Sequence, residues 1–131
     1  YYTGIFRNID NSEKSEKLVK NQQRFLSYLE KIGFTIKRGR ILCDGGRPRE
    51  KGTDVRIAVD LVVGAIDSLY DSAILVSSDT DLIPALDYVK YKNKKIEYVG
   101  FSHAPSYALI KHSHFRRLLL PEDIKKLEDE W

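Results

Sequence analysis

Two aspartates in the segment 77–81 have the type and spacing to do chemistry. The segment reads Ser-Ser-Asp-Thr-Asp, so one residue separates Asp79 from Asp81 and hydroxyl groups surround both. Carboxylates this close repel each other unless a cation lies between them. A hard divalent ion such as Mg²⁺ or Mn²⁺, which prefers oxygen ligands, would remove that repulsion. A structural alternative stays open, in which Asp79 or Thr80 caps a helix and Asp81 lies in its first turn.

Asp54 is a further acidic candidate, at the point where the basic segment 47–51 meets a long apolar stretch. We expect Asp54 at the N-terminus of a helix, where the helix dipole favours negative charge, and pointing out of the same sheet end as Asp79. Lys51 either contacts a substrate phosphate or is an exposed lysine without a role. The candidate metal ligands and catalytic residues are therefore Asp54, Asp79 and Asp81, with Lys51 as a candidate substrate contact.

Asp60, Ser77 and Ser102 are supporting candidates. Asp60 follows Asp54 by six residues, which on a helix is a rotation of about 240° and a rise of about 9 Å, so the two cannot easily hold one ion. A carboxylate on an apolar helix needs a partner, and we prefer a structural partner for Asp60 over a second ion. Ser77 is predicted to orient a ligand or a water molecule. Ser102 either hydrogen-bonds a group of the site or caps the helix predicted after it.

The histidines are His103, His112 and His114. In a strand, His112 and His114 would share a face and could bind zinc, but no acidic or cysteine ligand accompanies them in the sequence. We interpret them as surface histidines.

Hydrophobic periodicity predicts the elements that must position these residues. Helices are predicted at 12–31, 53–69, 82–91, 106–111 and 121–131, and strands at 34–43, 73–76, 96–101 and 115–119. Apolar residues surround almost the whole of helix 53–69, which predicts a buried helix. The apolar run 73–76 predicts a strand covered on both faces of a parallel sheet. The turn-forming segment 44–48 is expected to be a mobile loop.

Alternating strands and helices predict an α/β fold, a three-layer αβα sandwich with a mostly parallel sheet. The 131 residues fit one domain, and no apolar run is long enough to cross a bilayer. A single cysteine excludes an intrachain disulfide, and the cytoplasm is the expected compartment. The net charge is +3, with basic residues clustered at 37–51 and 90–95. Such clusters suit a polyanion such as RNA or are simply solvated surface.

Two separated motifs carry a family resemblance. Segments 51–61 and 74–84, in that order, resemble the NYN domain, a LabA-like branch of the PIN-like nucleases, and the similarity covers most of 50–119. The resemblance implies a PIN-like αβα fold and an acidic pocket that binds Mg²⁺ or Mn²⁺ for phosphodiester hydrolysis of RNA. The acidic positions of the family correspond to Asp54, Asp79 and Asp81, and Asp60 also matches a recurrent aspartate.

The sequence departs from the family pattern at several positions. Ser78 stands where glycine is usual, Leu82 where phenylalanine is common, and Ser113 where many members carry aspartate. Family members open with a strand that ends in aspartate, closely followed by asparagine, and nothing before Phe6 matches it. We expect residues 1–131 to be a single domain that lacks its N-terminal strand and helix, and such a strand to precede Tyr1 in the parent protein.

The sequence thus predicts a metal-dependent ribonuclease that uses Mg²⁺ or Mn²⁺, with RNA as partner and no membrane association. Whether the chain forms a homo-oligomer is left open. One rival is an RNA-binding module whose catalytic site has decayed. Another, a phosphatase with an aspartyl nucleophile, would leave Asp54 unexplained, and Pro84 is not the residue expected to follow its acidic pair.

Overall fold

Strands and helices alternate along most of the chain in a computed structural model that describes residues 1–5, 12–44 and 47–129. The strands are β1 (Tyr2–Gly4), β2 (Lys37–Asp44), β3 (Arg47–Lys51), β4 (Ser72–Val76), β5 (Lys95–Phe101) and β6 (Phe115–Leu119). The helices are α1 (Glu13–Lys31), α2 (Thr53–Ile66), α3 (Ile83–Tyr91), α4 (Tyr107–Lys111) and α5 (Pro121–Asp129), and a 3₁₀ turn covers Thr80–Leu82. The chain divides into two units, Tyr1–Ile57 and Ala58–Trp131.

The first unit contains a sheet in the order β1-β2-β3. β1 and β2 are parallel, whereas β2 and β3 are antiparallel. Helix α1 connects the two parallel strands and begins after Ser12, whose side chain accepts a hydrogen bond from the backbone N–H of Ser15 at 3.2 Å. After the helix, Gly33 has a φ of +96°, a left-handed conformation that glycine adopts without steric cost. This capping at both ends explains why the predicted helix 12–31 is confirmed almost to the residue.

The second unit contains an all-parallel sheet in the order β4-β5-β6. The crossover from β4 to β5 runs through α3, which packs against β5, and the crossover from β5 to β6 runs through α4. The fully buried side chains here are apolar and aromatic, with Leu82, Leu86, Val89, Ile96, Tyr98 and Leu109 the largest. The predicted α/β class, with parallel sheets flanked by helices, is therefore confirmed.

The predicted burial of α2 and β4 is wrong. Only Gly64 and Ala65 are buried in α2, and Val59 and Val63 are exposed. In β4, Leu75 is buried but Ile74 and Val76 remain 66% and 65% exposed. Within the second unit, β4 is an edge strand that pairs with β5. Apolar periodicity indicates which side chains favour burial, but it cannot establish that another element covers them.

The segment 44–48 also differs from the prediction. Arg47–Lys51 forms β3, with Arg40 paired to Lys51 and Asp44 to Arg47. This segment lacks the alternation of apolar residues that would have predicted a strand, and its partner strand supplies the hydrogen bonds. Residues 45 and 46 of the predicted mobile loop lie outside the described residues.

None of the helices within residues 1–5, 12–44 and 47–129 combines the length and the apolar character needed to cross a membrane.

Candidate functional site

The acidic segment 77–81 directly follows the carboxyl end of β4 and is ordered by its own side chains. The hydroxyl oxygen of Ser77 accepts a hydrogen bond from the backbone N–H of Asp79 at 3.1 Å. The Asp79 oxygen Oδ1 in turn accepts from the backbone N–H of Asp81 at 2.9 Å. Asp79 is half-buried and Asp81 is exposed. The two hydrogen bonds fix the backbone from which both carboxylates project.

The capping alternative for Asp79 is seen in the structure. Asp79 is the N-cap of the 3₁₀ turn Thr80–Leu82, and Asp81 lies in the first turn. The hydrogen bond to Asp81 engages one of the two oxygens of the Asp79 carboxylate. Capping is therefore compatible with a cation at the other oxygen. Two carboxylates, flanked by hydroxyl oxygens, are a donor set that suits Mg²⁺ or Mn²⁺.

A cavity of about 240 Å³ adjoins this segment at the carboxyl ends of β4 and β5. It is lined by Val76, Ser77, Ser78, Tyr98, Val99, Gly100, Phe101 and Ala104. Ligands of parallel α/β sheets bind at this end of the strands, because the loops that follow the strands converge there. The cavity thus places Ser77, a predicted supporting residue, in the wall of a candidate binding site.

Sequence reasoning missed Tyr98, which shapes one wall of this cavity. Tyr98 is 1% exposed, and its hydroxyl oxygen accepts a hydrogen bond from the backbone N–H of Ser106 at 3.1 Å. A methyl group at Gly100 would lie only 2.2 Å from that hydroxyl oxygen, so the ring lies directly over Gly100. The signal in the sequence was a tyrosine and a glycine two residues apart in an apolar strand, which places both on one face.

Asp54 lies in the first unit, in the first turn of α2 as predicted. The preceding Gly52 has a φ of +85°, and its carbonyl oxygen accepts a hydrogen bond from the N–H of Arg56 at 3.0 Å. The exposed Asp54 borders an open cavity of about 440 Å³. Its other lining residues are Tyr1, Tyr2, Thr3, Gly52, Thr53 and Ile57. A carboxylate at a helix N-terminus beside such a cavity is accessible to a ligand.

The other predicted residues are placed as follows. Lys51 is exposed at the end of β3. Asp60 is half-buried on α2 and has a polar or electrostatic partner. Ser102 is half-buried after β5, and its N–H donates to the carbonyl oxygen of Leu119 at 2.9 Å. The N-cap residue of α4 is Ser106, so the alternative that Ser102 caps this helix is wrong.

His112 and His114 make separate contacts within the protein. Nδ1 of His112 lies 2.7 Å from the carboxylate of Asp87. Nδ1 of His114 accepts a hydrogen bond from the backbone N–H of Ile96 at 3.0 Å. Among the described residues, neither unit groups three or more histidine, cysteine, aspartate or glutamate side chains closely enough to hold a metal ion. Among the described residues of the second unit, no third side chain of these types therefore completes a metal shell with Asp79 and Asp81.

Comparison with known proteins decides the family. The family model of the NYN domain matches residues 3–119. The chain belongs to the NYN domain family. NYN domains are PIN-like and are generally nucleases, so a nuclease-like role related to RNA follows at the level of the family. The match begins before the two acidic motifs and extends to the end of β6.

A solved structure shares the fold of this NYN domain. It is the crystal structure of a protein of unknown function from Vibrio parahaemolyticus, with a TM-score of 0.65 and 24% sequence identity. The similarity covers 93% of the present chain and 68% of the other chain. At this identity the likeness concerns the fold alone. No curated protein matches the chain.

Proposed function

We propose that this NYN domain is a metal-dependent ribonuclease that hydrolyses phosphodiester bonds of RNA with Mg²⁺ or Mn²⁺. The observation that carries the proposal is the ordered carboxylate pair at the end of β4, beside the 240 Å³ cavity, in a chain of a nuclease-related family. Asp79 and Asp81 provide the pair, and Asp54 is the third proposed ligand. We also propose that the chain belongs to the LabA-like branch of this family.

The proposed site residues of this chain would have different roles. Asp79 and Asp81 would hold the ion through carboxylate oxygens, because their negative charge offsets the charge of the cation. The ion, when bound, would supply a Lewis acid that activates water for attack on phosphorus and offsets charge on the leaving oxygen. Ser77 holds the backbone of Asp79, so it acts as a positioning residue. Asp60 remains a supporting residue, and Lys51 and Ser102 are the proposed substrate contacts.

A cleavage assay on mixed-sequence RNA, with Mn²⁺ and with EDTA, tests the proposal. We expect cleavage only with the metal and its loss in Asp79→Asn, because the amide keeps the shape but removes a charge from the ion's ligands. Asp67→Asn is the matched control: Asp67 is an exposed aspartate of the same unit, outside the acidic segment, and its variant should cleave at the normal rate. If Asp79→Asn folds and cleaves at the wild-type rate, the mechanism is wrong.

The second candidate is an RNA-binding module without catalysis. One observation favours it: among the described residues, neither unit contains a group of three acidic, histidine or cysteine side chains that could hold a metal ion. The same assay separates the two functions, because this module would bind RNA equally well in Mn²⁺ and EDTA and leave it intact.

A further inference from the structure

The lysine cluster at 90–95 is not uniform in the structure. Lys94 is 14% exposed in its side chain, and its ammonium lies 3.1 Å from a carboxylate oxygen of Asp71. The ammonium of Lys90 lies 3.9 Å from Asp87. Lys92, by contrast, has no acidic residue within ion-pair distance among the residues that the structure describes. Internal partners therefore offset two of the charges, whereas the charge of Lys92 is available to an external anion.

Lys92 lies beside two tyrosines at the C-terminal end of α3. Its ammonium is 5.8 Å from the ring centre of Tyr88 and 5.9 Å from that of Tyr91. The two rings are 5.9 Å apart and tilted by 46°. Tyr91 is 76% exposed and Tyr88 is 37% exposed. We call these three residues the α3 platform.

Exposed aromatic rings next to an uncompensated cation match the chemistry of a single-stranded nucleic acid. Bases stack on aromatic side chains whatever their sequence, and phosphates are attracted to neighbouring lysines. A single exposed aromatic residue is ordinary on a protein surface. Two adjacent rings with a cation at about 6 Å from both offer a stacking face and a charge together.

We propose that the α3 platform binds single-stranded RNA, with a base stacked on Tyr91 and a phosphate near Lys92. The inference rests on the proposed function, since it assigns a second contact to the same substrate. The platform lies at the C-terminal end of α3, where Tyr91 is the last residue and Lys92 the C-cap, whereas the acidic segment precedes the first residue of the helix. A helix of nine residues spans about 13 Å. RNA that occupies both places must therefore extend beyond the cleaved bond by more than one nucleotide.

A purely structural role for Lys92 makes a different prediction. Lys92 is the C-cap residue of α3, and its positive charge there would stabilise the helix by interacting with the negative end of the helix dipole. In that case, substitutions in the platform would change the thermal stability and leave the affinity for RNA unchanged.

The test measures the affinity of the full chain for a single-stranded RNA of about 12 nucleotides in EDTA, so that cleavage does not interfere. We expect Tyr91→Ala to weaken binding by about 5-fold or more, as expected for a lost base stack, whereas Tyr91→Phe should bind as the wild type does. Tyr107→Ala is the matched control, because Tyr107 is a similarly exposed tyrosine of the same unit, and its affinity should not change. An abasic strand of equal length should bind the wild type and Tyr91→Ala equally.

Two results would overturn the proposal. One is equal affinity of the wild type, Tyr91→Ala and Tyr107→Ala for the RNA. The other is an equal loss of affinity in Tyr91→Ala for the RNA and for the abasic strand, which would show that Tyr91 does not stack on a base. Lys92→Gln provides an independent measurement, since loss of one phosphate contact should reduce the slope of log affinity against log salt by about 0.7. An unchanged slope would contradict the assignment of Lys92.

The outcomes distinguish failure of the platform proposal from failure of the ribonuclease proposal. If RNA binds through the platform in EDTA but is not cleaved in Mn²⁺, the ribonuclease proposal is wrong and the platform stands. If RNA is cleaved and Tyr91→Ala binds it normally, the platform is wrong and the ribonuclease stands. A chain that binds no single-stranded RNA contradicts the platform directly.

Discussion

The hydroxyl of Tyr98 and the backbone N–H of Ser106 are joined by a hydrogen bond of 3.1 Å. This bond links the middle of β5 to the start of α4 and holds Tyr98, which lines the cavity beside the acidic segment. The ring of Tyr98 can lie directly over the backbone of Gly100, two residues further on, because Gly100 has no side chain. The shape of the candidate site thus depends on two residues that carry no chemistry of their own.

Gly100→Ala should destabilise the protein by about 1–3 kcal/mol, the usual cost of overpacking. The new methyl group would lie 2.2 Å from the Tyr98 hydroxyl oxygen and 2.6 Å from the adjacent ring carbon, so the buried ring must move. Urea unfolding measures the loss. Tyr98→Phe is the companion variant and should cost about 0.5–1.5 kcal/mol for the lost hydrogen bond. Identical unfolding midpoints for Gly100→Ala and the wild type would show that the Tyr98 ring is not held against Gly100.

Tyr70 predicts a dependence of stability on alkaline pH. Its hydroxyl donates a hydrogen bond to the carbonyl oxygen of Leu61, and its ring packs against Gly64. Burial raises the pKa of Tyr70 above its ordinary value of 10.0, because desolvation disfavours the phenolate. The folded state therefore holds this proton more tightly. The resulting stability is fully present below the unfolded pKa and is lost as the pH rises through the folded one.

Urea unfolding of the wild type and Tyr70→Phe at matched pH isolates this effect, since all other ionisable groups are the same in both proteins. We expect the wild type to be more stable by about 1 kcal/mol at neutral pH. The difference should shrink as the pH rises above about 10. A difference that stays constant up to about pH 11 would contradict the assigned role of the Tyr70 proton.

His112 and Asp87 should be energetically coupled. The contact of 2.7 Å between the imidazole and the carboxylate connects the end of α4 to the middle of α3. In a double-mutant cycle with His112→Ala and Asp87→Ala, we expect a coupling of about 0.5–1 kcal/mol, because both groups are partly exposed and water screens the contact. Lys90→Ala is the control, since its ammonium lies 3.9 Å from Asp87 and should couple less. Strictly additive losses for His112 and Asp87 would rule the coupling out.

Divalent metal should raise the melting temperature, because an ion that binds the folded state between Asp79 and Asp81 relieves their repulsion. At a metal concentration of about 100 times the Kd, the stabilisation would be about 2.7 kcal/mol. Thermal melts in Mn²⁺ and in EDTA measure it. The shift should disappear in Asp81→Asn, which keeps the backbone donor to Asp79, and persist in Asp67→Asn. A metal shift that survives in Asp81→Asn would place the ion elsewhere.

Local sequence signals predicted most of the elements, because their causes lie within a few residues. The cap at Ser12 and the left-handed Gly33 set the limits of α1, and the apolar run before the acidic segment predicted β4. The position of Asp79 and Asp81 at the carboxyl end of a parallel strand was likewise readable from the sequence. The metal-ligand roles of Asp54, Asp79 and Asp81 stay predictions.

Contacts between distant residues decided the rest. β3 became a strand because β2 pairs with it, although its own residues gave no such signal. The exposure of Ile74 and Val76 depends on which elements cover β4, and no apolar run specifies that.

The α/β class, the family and the acidic segment can be read from the sequence, since periodicity and motifs of adjacent residues specify them. The partners of the lysines become visible in the folded chain, where Lys94 has an acidic partner in Asp71 while Lys92 lies beside two exposed tyrosines. Composition gives these lysines the same charge. Whether that charge is neutralised internally depends on packing between residues far apart in the chain, because ion pairs act over a few ångströms in space.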